Sequence, residues 1–176
     1  YFYGGITANG ELRPEKMYPD FPALQAMVRK NSDALLWLIK HFMLLKAQGY
    51  SSMIKPEWEN AAKNLAAAFS KTWYQHGEFG QYIVPETGEI AVFNSTAGAR
   101  VPAGLVLASE WFGNGEWLTT AREAANYYYR RDIEKQGLTG GCCADISQDP
   151  DSETAFGFLE SLVILYEATG DTTWQR

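Results

Sequence analysis

Three tryptophans recur at a nearly constant interval and constrain the chain more than any other feature. Trp58 lies in "KPEWENAAKNLAAAF", Trp117 in "NGEWLTTAREAANYYY" and Trp174 in "GDTTWQR", a period of about 58 residues that marks a repeated supersecondary unit. The first two open helices with one apolar face. In one that face is Trp58, Ala62, Leu65, Phe69 and Trp73; in the other it is Trp117, Ala121, Ala124 and Tyr128. The opposite faces carry Glu59, Lys63 and Lys71, or Arg122, Glu123 and Arg130, as a solvated outer surface requires. Before each tryptophan comes a second kind of helix: "DALLWLIKHFMLLKA", "ARVPAGLVLASEWF" and "ETAFGFLESLVILYEA". These are apolar nearly all round and so expected to be buried on most sides.

The connections alternate in length. Each apolar helix leads to the next amphipathic one through a short segment containing Gly49, Gly113 or Gly170. The return connections, "YQHGEFGQYIVPETGEIAVFNSTAG" and "DIEKQGLTGGCCADISQDPDS", are long and fall at one end. An outer helix, a long loop, an inner helix and a tight turn, repeated, predict an all-α fold: an α/α toroid of the six-hairpin type with about three hairpins present. Two small β-hairpins decorate the loops, one at Asn9-Gly10 and one turning at Pro85 to Gly88. A closed ring of six such units needs roughly 350 residues, so residues 1–176 are expected to form a single partial toroid domain whose remainder lies on a missing segment.

Charge narrows the partners. With 21 acidic against 15 basic residues, a net charge of -6 and no Lys/Arg cluster, nucleic acid is not an expected partner. Lys40, His41 and Lys46 interrupt one apolar stretch and Glu160 and Glu167 another, so no membrane span is expected. Tyr1 follows neither an initiator Met nor a signal-peptide pattern, which leaves the compartment unread. Cys142 and Cys143 form one dipeptide, neither a disulfide framework nor a zinc spacing, and read as small buried hydrophobes.

The segments "HGEFGQYIVPETGEI", "NSTAGARVPAGLVLASEWF" and "GGCCADISQDPDSETAFGFLESLVILYEATGDTTW" resemble the six-hairpin glycosidase-like superfamily, in particular its uncharacterised carbohydrate-active members. The resemblance runs from about Asn31 to Trp174 and implies glycan-directed chemistry at the loop face, in a periplasmic or extracellular setting. The superfamily includes both hydrolases and lyases. Related arabinofuranosidases hold zinc with cysteines and a glutamate, but their cysteine pair follows the glutamate-bearing helix, whereas Cys142 and Cys143 precede Glu153, so that site is not carried over.

Glycoside hydrolysis needs two carboxyl groups, one to protonate the departing oxygen and one to activate water or attack. The acidic loop supplies Asp145, Asp151 and Glu153 as acid/base candidates. Asp149 followed by Pro150 reads instead as a helix N-cap with proline in the first turn. Asp151 and Glu153 could equally serve the helix dipole, which leaves Asp145 as the carboxylate with no local structural explanation. Asp145, Ser147, Asp149 and Asp151 alternate like oxygen ligands, yet Pro150 and Phe156 stand where an EF-hand needs Gly and Glu. No cofactor is therefore expected, with an irregular calcium site kept as the alternative.

Substrate contacts are expected from His76, Gln81, Tyr82 and Arg100, since aromatic rings stack on sugars and neighbouring polar groups bind hydroxyls. Against these stand plainer roles: His76 ending a helix, Arg100 in a structural ion pair, and Trp73 and His41 in the core. Glu160 requires a partner if buried. Asn94-Ser95-Thr96 matches a glycosylation acceptor and, more simply, a helix N-cap. The expected function is a glycoside hydrolase acting on an oligo- or polysaccharide. The alternatives are a polysaccharide lyase, with Tyr or His as base and Arg100 or a metal neutralising a uronate, and a helical-repeat binding module without chemistry.

Overall fold

The computed structural model describes residues 1–13, 24–141 and 148–175. Five α-helices dominate it: α1 Val28–Ala47, α2 Pro56–His76, α3 Val101–Phe112, α4 Gly115–Tyr128 and α5 Ser152–Thr169. They lie in two layers. α1, α3 and α5 adjoin in chain order, while α2 packs on α1 and α3, and α4 packs on α2, α3 and α5. The apolar-all-round helices thus form one layer and the one-sided helices the other. Among the described residues, no helix is long and apolar enough to cross a membrane.

The chemistry of the helix ends explains the boundaries. Pro56 opens α2 with Glu57 and Glu59 in its first turn, where a missing N–H costs nothing and negative charge meets the positive end of the helix dipole. Asn114 caps α4 through its side chain. The tight turns after α3 and α5 need a left-handed residue, supplied by Gly113 and Gly170 at φ 68° and 66°. α1 begins five residues before the apolar run that starts at Asp33, so Asp33 lies in its second turn.

Two helices of the first layer borrow their N-terminal partners. No side chain caps α1 at Met27; instead Val28 donates its N–H to the Gln81 carbonyl at 2.9 Å. Arg100 gives α3 no side-chain cap either. Ser161 of α5, with no exposed surface, accepts from Ala103 N–H at 3.2 Å and donates to the Ala99 carbonyl at 2.8 Å. One hydroxyl thereby satisfies a donor and an acceptor that would otherwise be buried unpaired, each at about 1–3 kcal/mol.

Small sheets decorate the helices as the turn signals predict. β1 (Gly5–Ile6) pairs antiparallel with β2 (Leu12–Arg13) around Asn9-Gly10. β4 (Tyr82–Ile83) pairs with β5 (Ile90–Val92) around Pro85 to Gly88, and β3 (Ala26–Met27) adds to the other edge of β4. β3 was not foreseen, because two residues leave no alternation to read.

The core lies between the layers. Leu35, Ile39 and Phe42 of α1, Leu105 of α3 and Phe69 of α2 have no exposed surface, each contributing about 1.5–3 kcal/mol of transfer free energy. Trp73 and Trp117 are buried as their positions on the apolar stripes require, and the Trp73 indole donates to Glu123 at 2.9 Å. The expectation of burial on most sides fails on two first-layer helices. α1 exposes Trp37 and Leu44, and α5 exposes Phe156, Leu159 and Val163 along one stripe. His41, expected in the core, is exposed, because the adjacent buried positions of α1, Leu35, Ile39 and Phe42, point its side of the helix outward.

Candidate functional site

The N-terminal ends of α1, α3 and α5 meet beside the β3-β4-β5 sheet, and charged residues from all three helix entrances gather there. Arg100 reaches Asp33 with two bonds, Nη2 at 2.6 Å and Nε at 3.2 Å from Oδ1. Its third nitrogen, Nη1, donates to the Glu153 carbonyl at 3.2 Å. Arg29, in the first turn of α1, lies between two carboxylates, with Nη1 3.2 Å from Oδ2 of Asp33 and 3.0 Å from Oε1 of Glu153. Side-chain exposure falls from 45 % for Glu153 to 25 % for Asp33 and 15 % for Arg100, so the pairs are only partly screened.

Arg100 threads across α5 where that helix has no side chain. A Cβ on Gly157 would stand 2.4 Å from Cγ and 2.5 Å from Nη1 of Arg100. The glycine therefore serves the close approach of the guanidinium to α5. The structure thus brings together two of the expected residues, Arg100 and Glu153, and adds Asp33 and Arg29, which the sequence did not single out. In "VRKNSDALLW" both read as ordinary polar residues ahead of an apolar run. The available signal was that Arg29 and Asp33 stand four apart and share a helix face.

A second group surrounds the β4-β5 hairpin. Gln81 is buried, and its Oε1 accepts from Gln148 Nε2 at 3.2 Å, which also donates to the Phe93 carbonyl at 2.9 Å. Ser95 N-caps the helical turn Thr96–Arg100 and donates to the Gly141 carbonyl at 3.0 Å, so the capping role in Asn94-Ser95-Thr96 belongs to Ser95. Tyr82, expected to contact substrate, has no exposed surface and packs inside the sheet. His76 is the exposed last residue of α2 with its ring edge-on to Phe93, centroids 6.2 Å apart.

Behind the hairpin, α4 continues as a π-helical turn, Tyr129–Glu134, whose widened backbone coincides with a buried Asp132. Arg131 chelates Asp132 at 2.5 and 2.9 Å and reaches Oε2 of Glu78 at 3.4 Å, while that oxygen also accepts from Asn94 N–H at 2.9 Å. The neighbouring Tyr128 hydroxyl accepts from the buried Phe79 N–H at 2.9 Å, and burial pushes the phenol well above its usual range. These bonds anchor the 77–95 loop to the second layer.

The acidic segment resolves differently from its reading in the sequence. Asp151, not Asp149, caps α5: its Oδ1 accepts from Thr154 N–H at 2.7 Å and from the Thr154 hydroxyl at 3.0 Å. Asp149 is exposed and Pro150 precedes the cap, bridging to Gly140, so the helix starts two residues later than the Asp-Pro signature suggests. Glu160 has the expected partner, Lys40 Nζ at 2.6 Å. Asp145, Ser147, Cys142 and Cys143 lie outside the described residues, and with them the calcium alternative. Among the described residues, no three His, Cys, Asp or Glu side chains gather as a metal would require.

Comparison with models of protein families, with curated proteins and with solved structures returns no match. The reading of this site therefore rests on its own geometry.

Proposed function

We propose that this chain belongs to a carbohydrate-active α/α toroid and hydrolyses glycosidic bonds of an oligo- or polysaccharide where the entrances of α1, α3 and α5 converge. The observation that carries the reading is the meeting of Glu153 with Arg100 and Asp33 at that point, which sets two carboxylates beside each other on separate helices. Two carboxyl groups are the minimum that glycoside hydrolysis requires. Glu153 is the leading acid/base residue. Asp145 stays a candidate from its sequence position, whereas the Asp151 carboxylate is engaged in capping. Gln81, buried and bonded to Gln148, and His76, against the Phe93 ring, belong to the hairpin group rather than the carboxylate group.

The placement of Arg100 favours the hydrolase over the lyase reading. A lyase needs a cation free to neutralise a uronate carboxylate, but the three nitrogens of Arg100 are taken by Asp33 and the Glu153 carbonyl. The toroid reading is supported by the alternation of layers, with α1, α3 and α5 adjoining and α2 and α4 packed on them. Incubating the protein with neutral and uronate-containing glycans tests the function. New reducing ends that vanish in Glu153→Gln are expected. Ultraviolet absorbance from an unsaturated product would establish a lyase instead, and binding without turnover a non-catalytic module.

A further inference from the structure

We infer that Asp33 and Glu153 are a retaining pair acting on a neutral glycan, Asp33 as nucleophile and Glu153 as acid/base, an inference that rests on the hydrolytic reading above. Arg29 sets their spacing. Because its Nη1 lies 3.2 Å from Oδ2 of Asp33 and 3.0 Å from Oε1 of Glu153, these oxygens are at most about 6 Å apart. An inverting enzyme separates its carboxyl groups by about 6.5–9.5 Å to admit water, and a retaining one by about 5–5.5 Å. The bridge places this pair on the retaining side.

The surroundings divide the roles. Asp33 accepts three bonds from two guanidiniums, which hold its carboxylate in one orientation, and Oδ2 takes only one of them. Oδ2 is therefore the attacking atom. Glu153 is the more exposed of the two, so it is the carboxyl that solvent water reaches for the second displacement.

A second observation points to a sugar. One turn along α1 from Asp33, Trp37 is 58 % exposed; three residues along α5 from Glu153, Phe156 is 70 % exposed. Lys40 of α1 contacts both helices, with Nζ 4.6 Å from the Trp37 ring centroid and 2.6 Å from Glu160 of α5. Phe156, Lys40 and Glu160 line one groove of about 580 Å³. One exposed ring on each helix, Phe156 in the groove itself and Trp37 a turn along α1 from Asp33, suits the apolar faces of pyranose rings. Lys40 is held by Glu160 and Arg100 by Asp33, while Glu167 adds a negative charge to the groove, so a neutral chain fits better than a polyuronate.

In the first step Oδ2 of Asp33 bonds to the anomeric carbon as the bond to the departing oxygen breaks, and that oxygen takes the proton from the Glu153 carboxyl. In the second, the Glu153 carboxylate takes a proton from water while the water oxygen attacks the anomeric carbon. The bond between the anomeric carbon and Oδ2 of Asp33 breaks in that same displacement, which restores the Asp33 carboxylate. Two displacements retain the configuration.

Proton NMR of the full chain acting on neutral oligosaccharides and aryl glycosides reads the first-formed anomer, which is expected to be the retained one. Asp33→Asn is expected to lose at least about 100-fold in turnover, and Asp33→Gly to be rescued by azide as a glycosyl azide of opposite configuration, which a purely structural role would not produce. If that variant fails to fold, a fluorinated activated glycoside given to the unaltered protein should label the peptide containing Asp33. Inversion, a label on another residue, or undiminished turnover in Asp33→Asn overturns the pair while leaving hydrolysis intact. Absence of turnover on every glycan overturns the hydrolytic reading and the pair with it.

Discussion

Replacing Gly157 by Ala should destabilise this protein although the same change in an ordinary helix interior stabilises it. The intrinsic gain is about 1 kcal/mol. Against it stands the new methyl, 2.4 Å from Cγ, 2.8 Å from Cδ and 2.5 Å from Nη1 of Arg100. The stem of Arg100 cannot swing aside cheaply, because its far end is tied to Asp33 at 2.6 and 3.2 Å and to the Glu153 carbonyl at 3.2 Å. Freeing those partly buried bonds costs about 2–3 kcal/mol after allowance for screening. The net loss is then about 1–2 kcal/mol, equivalent to a Tm lower by about 2–8 °C for a chain of this size. Urea unfolding followed by circular dichroism measures it. The decisive arm is a double-mutant cycle: in an Arg100→Ala background, Gly157→Ala should become stabilising by up to about 1 kcal/mol. A stabilising effect in the unaltered chain, or the same effect in both backgrounds, would refute the account of Arg100 lying over the glycine.

Other consequences follow from the helix ends and buried hydroxyls. Asp151→Ala should cost about 0.5–2 kcal/mol through loss of the α5 cap, with Asp151→Ser recovering most of it in the same urea assay. Ser161→Ala should cost about 1–3 kcal/mol, since it strands the Ala103 N–H and the Ala99 carbonyl; a loss under a few tenths would show that water replaces the hydroxyl. Tyr128→Phe should cost a similar about 1–3 kcal/mol and speed hydrogen exchange at Phe79. The Tyr128 phenol is raised in the folded state by burial, so the fold binds its proton more tightly than the unfolded chain does. Its contribution is complete below about pH 10, the unfolded value, and is lost as pH rises above that. The urea midpoint should therefore fall from pH 9 to pH 11 with a shallower slope in Tyr128→Phe, and equal slopes would contradict the assignment.

What the sequence made legible was periodic. The tryptophan interval located α2 and α4, and the all-round apolar segments located α1, α3 and α5, because helical periodicity accumulates over many residues. Two-residue β3 had no such accumulation. The Asp149-Pro150 signature pointed two residues early, since Asp151 competes for the same role and only the three-dimensional path of the chain selects between them. Arg100 and Glu153 were legible as charged residues at helix entrances. Asp33 and Arg29 were not, because the polar first turn of α1 resembles a loop until Val28 is seen to bond with Gln81. Trp37 and Phe156 passed for core, as apolar residues must when no tertiary layer is known.

The borrowed caps of α1 and α3 bear on the order in which the chain assembles. α5 carries its own cap in Asp151, with three bonds to Thr154 local to one turn, but α1 depends on Gln81 and α3 on Ser161, partners distant along the chain. Closing such long loops costs entropy before any contact repays it. The entrances of α1 and α3 therefore form together with the tertiary structure rather than ahead of it. The charged group that straddles those entrances acquires its geometry in the same late step, so a chain with intact helices but an undocked hairpin would have the residues of the site without the site.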